Sequence, residues 1–83
     1  MKEGKVIFID NIESLGNIDF EKLKSSYSEK DIYVEFAVEN KILGFYSIPE
    51  AILNLVQRGV KRVSAFPFSL GESYEVPLYW GTY

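Results

Sequence analysis

Few residues in this 83-residue chain are equipped for chemistry, because cysteine and histidine are both absent. That removes disulfides, thiolate nucleophiles, zinc sites built on Cys and His, and the side chain most often used as a general base near neutral pH. Carboxylates, hydroxyls, lysine and arginine remain. The most suggestive carboxylate is Asp10, which with Asn11 follows the apolar run Ile7-Phe8-Ile9 at the end of a predicted strand, where it could do acid–base work or hold a divalent cation. No second carboxylate has a motif-defined spacing to Asp10, so a turn-forming Asp-Asn pair is the simpler account. The hydroxyls have no recognisable base, and neither a phosphate-cradling glycine loop nor a P-loop lysine occurs. Arg58, Lys61 and Arg62 cluster where a helix is predicted to end, and helix C-terminal carbonyls favour cations without any ligand. The expectation is therefore a non-enzymatic chain with no cofactor and no metal.

Composition narrows the classes further. A chain of this length has interior enough for one core, so residues 1–83 are expected to form a single domain. Apolar content is ordinary, aromatic content is high at 16%, and charges of both signs are mixed along the chain, which speaks against disorder. The net charge of −3 weighs against a partner held mainly by phosphate neutralisation. No apolar run is long enough to span a membrane, and the start MKEGK is unlike a signal peptide. An intracellular protein is expected, cytoplasmic or, in a eukaryote, nuclear.

The elements that must position these residues follow from periodicity. Residues 5–10 predict a strand with Val6 and Phe8 on one face and Ile7 and Ile9 on the other. Ile18 to Tyr27 carries Phe20, Leu23 and Tyr27 at helical spacing, with Asn17 or Asp19 as N-cap. Ile32 to Glu39 alternates Ile32, Val34, Phe36 and Val38 against Tyr33, Glu35, Ala37 and Glu39, the pattern of a strand with one wet face. A polar turn then leads to a predicted strand over Ile42–Ser47, apolar on both sides. Ser47-Ile48-Pro49-Glu50 has capping-box spacing, and a helix follows with Ala51, Ile52, Leu55 and Val56 buried and Gly59 as its terminator. The remainder predicts two strands around Leu70-Gly71, with Pro67 and Pro77 marking a sheet edge or a break. This order predicts an α+β domain, a ferredoxin-like βαββαβ sandwich with an extra C-terminal strand segment.

In that fold both helices cover one face of the sheet, and apolar residues on the open face need a partner. Here the sequence resembles the RNA recognition motif family, as an atypical member. Ile7-Phe8-Ile9-Asp10-Asn11-Ile12 fits the family's first-strand hexamer, and Lys41-Ile42-Leu43-Gly44-Phe45-Tyr46-Ser47-Ile48 keeps the leading Lys, central Gly and following aromatic of its third-strand octamer. Ile42 and Leu43 replace the octamer's first Gly and first stacking aromatic. The resemblance implies that Phe8 and Phe45 stack bases, that Lys41 meets a phosphate and that Leu43 adds apolar contact.

Two binding functions follow, with Phe8, Leu43, Phe45, Lys41, Asp10 and Tyr33 as candidate site residues for either. One is a module that holds single-stranded RNA on the open face. The other docks a protein partner or a second copy there, as a homodimer, with Asp10, Glu35, Glu39 and Glu75 forming an acidic rim that would repel phosphates. Alternatively Tyr79, Trp80 and Tyr83 fold back over Phe8 and Phe45. These C-terminal aromatics are too apolar to stand idle in water, so Trp80 is expected to be buried, within the chain or at a self-association surface.

Overall fold

Strand β1 (Glu3–Ile9) buries Val6 on one side and Ile7 and Ile9 on the other, since successive side chains of a strand point to opposite faces. A strand buried on both faces belongs in the middle of a sheet. The computed structural model, which describes residues 2–38 and 44–81, places β1 between β2 (Ile32–Val38) and β3 (Arg62–Pro67), parallel to both. β4 (Val76–Trp80) pairs antiparallel with β3, so the order is β2-β1-β3-β4.

Helix α1 (Phe20–Ser28) starts where Asp19 accepts a hydrogen bond from the Lys22 N–H at 3.0 Å, which selects Asp19 over Asn17 as the cap. Just before it, Asn11 caps the 3₁₀ turn Ile12–Asn17 by accepting from the Glu13 N–H, so Asn11 does the turn work expected of the Asp-Asn pair. Helix α2 (Ile48–Gln57) opens with the full Ser47–Glu50 capping box and Pro49 in its first turn. It stops at Gly59, whose φ of +89° suits a residue without a side chain.

The helices sit on opposite faces. Phe20, Leu23 and Tyr27 of α1 pack with Ile7, Ile9, Val34, Phe36, Val38 and Phe66. Ile48, Ala51, Ile52 and Leu55 of α2 pack with Val6, Ala37, Val63 and Ala65, the alternate residues of the same strands. Topology explains this. The β1-α1-β2 crossover moves one way along the sheet and β2-α2-β3 returns past β1, and right-handed crossovers run in opposite directions leave their helices on opposite faces.

The molecule is thus a small α+β unit with a four-stranded sheet and two α-helices among the described residues. Its strand order mixes parallel and antiparallel pairs and does not confirm a ferredoxin-like βαββαβ sandwich. The segment expected as a central strand over Ile42–Ser47 is described only from Gly44, and there it makes one isolated bridge, Tyr46 to Ala37, outside β2. Gly44 has φ +90°, which ends an extended run, and Ser47 is already the cap of α2. The central place beside β1 goes to β3 instead.

Two further expectations change for the same reason. The face of β2 expected to be wet lies under α2: Ala37 is fully buried and Glu35 is 7% exposed. Glu35 is tolerated there because its carboxylate accepts hydrogen bonds from Asn54 Nδ2 at 2.7 Å and Arg58 Nη1 at 3.1 Å, both on or capping α2. Trp80 is not buried within the chain. It is 62% exposed, because the helices pack chiefly on β1 and β2, and of β4 only the half-buried Tyr79 reaches the core on the α2 side.

The Glu35 arrangement predicts an asymmetric response to substitution. Asn54→Leu with Arg58→Leu strands a buried carboxylate and should lower stability in urea by about 3–5 kcal/mol. Adding Glu35→Leu to that pair should recover much of the loss, because no unpaired charge remains. Equal stability of the double and triple variants would show that Glu35 is solvated in the native state.

Candidate functional site

The four candidate residues that the structure describes, Phe8, Asp10, Tyr33 and Phe45, do not form one surface. Phe8 is half-buried on the α2 face, where it lines a shallow cleft of about 300 Å³ with Val38, Ser47, Ile48 and Pro49. Phe45 packs on the α1 side against Phe20, with ring centroids 5.6 Å apart. The two aromatics expected to stack bases side by side are therefore separated by the sheet. α2 flanks Phe8 and Phe20 packs on Phe45, while Trp80 stands exposed on β4 and Tyr83, like Glu39, lies outside the described residues.

Tyr33 shares the α2 face with Phe8, yet it stands opposite Gly4, four residues down β1, which is about 13 Å away. Its ring lies under the Arg58 guanidinium at 4.6 Å, so the phenol is a packing platform for the cation that holds Glu35. Asp10 is exposed at the end of β1 and accepts hydrogen bonds from both the hydroxyl and the N–H of Ser69, the latter at 3.2 Å. The Ser69 hydroxyl, more than any other group, holds the Asp10 carboxyl below its usual range. Asp10 thus pins the link after β3 to the end of β1, beside the Phe68 N–H donated to the Phe8 carbonyl at 2.8 Å. Lys41 and Leu43 lie outside the described residues.

A different surface stands out, on elements for which sequence periodicity offered no site. The link between β3 and β4 is fastened to the α1 face by two carboxylates. Tyr27 Oη donates to Glu72, and Glu75 accepts from Ser64 Oγ at 2.9 Å while pairing with Lys5. Burial first, and then the Glu72 carboxylate, push the Tyr27 pKa far above the usual tyrosine range, so this hydroxyl stays a donor. The Ser64 hydroxyl and the Lys5 ammonium both engage the Glu75 carboxylate, one oxygen each. These groups form a latch rather than a nucleophile.

What the latch holds in place is apolar. Leu70, Tyr74, Val76, Leu78 and Trp80 are all exposed along the link and the outer strand. The Arg62 guanidinium lies 4.4 Å from the Trp80 ring and leaves most of the indole in solvent. Between β1, β3 and β4 a small groove of about 210 Å³ is lined by Lys5, Arg62, Ser64, Glu75, Pro77 and Trp80. A roomier cleft of about 620 Å³ lies outside β2, bounded by Phe20, Lys24, Phe36 and Tyr46. Among the described residues no group of three or more Asp or Glu side chains is placed to hold a metal ion, and no helix is long and apolar enough to cross a membrane.

No protein-family model, no curated protein and no solved structure matches this chain. Its function has to be argued from its own surfaces.

The Asp10 contact predicts a pH effect of definite sign. A carboxyl whose folded pKa lies below its unfolded value adds stability that is complete above the unfolded pKa, about 3.9, and is lost as pH falls through the folded one. Asp10→Asn should therefore lower the urea midpoint slightly at pH 7, and the gap to the wild type should narrow as the pH falls below the unfolded value. A gap that stays constant down to pH 2 would mean that the charge on Asp10 contributes nothing.

Proposed function

We propose that this chain is a non-enzymatic protein-interaction module that docks its partner on the β4 edge. The observation that carries this reading is the set of exposed apolar side chains, Leu70 and Tyr74 on the link and Val76, Leu78 and Trp80 on β4, outside the strands on which the helices chiefly pack. Exposed apolar surface of this extent on a small domain favours a macromolecular partner over water. Its make-up suits an interface, with Tyr74 and Trp80 as large anchors and Glu72, Glu75 and Arg62 at the rim.

Single-stranded RNA is the less favoured partner. A base-stacking platform needs its aromatics on one face, whereas Phe8 and Phe45 flank opposite faces, and the net charge of −3 repels a phosphate backbone.

Site-specific photo-crosslinking in cells separates these partners. A photoreactive residue in place of Leu78 should give a discrete protein adduct that Trp80→Ala abolishes, while the same residue in place of Lys22 on α1 should give none. Labelled single-stranded RNA titrated at 50 and 200 mM salt should show no binding. Affinity that falls with salt, together with no protein adduct at Leu78, would overturn the reading.

A further inference from the structure

Resting on β4 as a docking surface, we propose that the partner seated there is a second copy of this chain, with the two β4 strands side by side and antiparallel. The argument is charge placement. At the start of the strip stand Glu72 and Glu75, and at its end stands Arg62, paired across the ladder with Trp80. The strand between them is about 13 Å long from Val76 to Trp80. All three charged side chains lie on the α1 face: Glu72 reaches Tyr27, Glu75 reaches Lys5 and Ser64, and Arg62 shares its side of β3 with Ser64.

A two-fold axis perpendicular to the sheet keeps the α1 faces of both copies on one side and reverses the strip. It sets the acidic end of each copy against the basic end of the other, twice, with Leu78 near the axis and Val76 facing the partner's end of the strip. Such self-complementarity is what an isologous pair requires. A parallel two-fold pair would turn the α1 faces to opposite sides of the sheet and leave neither charge with a partner. Arg62 has capacity for the added contact. Its only ion pair among the described residues is with Glu3 at 3.7 Å, beyond ordinary hydrogen-bond reach, and its side chain is 42% exposed.

Pro77 has no N–H and the β3–β4 register shifts beside it, so the copies meet through side chains more than through a complete ladder. That predicts a modest, concentration-dependent dimer.

Analytical ultracentrifugation of the purified full chain between about 1 μM and 1 mM, a range that spans modest affinities, should show the mass rising from 9.5 kDa to twice that value. The emission of Trp80, the sole tryptophan, should shift to the blue over the same range. Arg62→Glu and Glu72→Arg should each weaken the dimer roughly fivefold or more. Mixing those two variants should restore association, because the heterodimer then has opposite charges at both contacts. Leu78→Asp, at an exposed edge position, should give a folded monomer by circular dichroism. A wild type that stays monomeric at 1 mM, or a dimer indifferent to Leu78→Asp, would overturn the proposal. If the Leu78 crosslink in cells then joins the chain to a different protein, β4 remains a docking surface with another occupant. If it joins nothing, the docking reading fails as well.

Discussion

Parallel pairing on both edges of β1 is the constraint from which the other features follow. Parallel neighbours need crossover connections, and crossovers on both sides of a central strand put one helix on each face. Ile7 and Ile9 then meet α1 while Val6 meets α2, and the strand's two-sided apolar character is fully used inside the chain. In 83 residues that scheme allows only one helix per face. Both pack chiefly on β1 and β2, so of β4 only Tyr79 reaches the core, and Val76, Leu78 and Trp80 stay exposed. The exposed apolar edge is thus a consequence of size combined with topology.

Polar contacts do the remaining positioning, and each fastens an element that hydrophobic packing alone would leave loose. Glu35 ties β2 to α2 through Asn54 and Arg58. Asp10 ties the end of β1 to the start of the long link, and Glu72 and Glu75 tie the rest of that link to Tyr27, Ser64 and Lys5. The last two span the whole distance between α1 and the sheet edge, so the face that holds the core together also fixes how β4 is presented.

Local chemistry was legible in the sequence, and long-range pairing was not. The Ser47–Glu50 box, Gly59 as terminator, the Asp19 cap and the two strands around Leu70-Gly71 all appear as local pattern predicts, because each depends on residues within a few positions of one another. The first strand, whose sequence is apolar on both faces, lies inside the sheet as such a pattern implies. The wet face of β2 was misread because alternation marks Glu35 as solvent-facing, and nothing local reveals that Asn54 and Arg58 arrive 19 and 23 residues later to satisfy it. The candidate surface built on Phe8 and Phe45 assumed that two apolar strands are neighbours. Gly44 and Ser47 interrupt the second of them, and β3 takes the place beside β1. The C-terminal aromatics were singled out as needing cover, but their exposure depends on where the helices lie, which only the assembled sheet shows.

The two outer strands are guarded unequally against runaway growth. On β2, the Val38 N–H is already given to the Tyr46 carbonyl, so one of its outward donors is spent inside the chain. On β4, Pro77 supplies no donor at all, and the strand is short and irregular beside β3. A sheet that ends in two such strands carries, in the terms of polymer chemistry, a partial chain terminator at each side: an apolar edge interrupted in this way is a poorer template for cross-β growth than an unbroken strand.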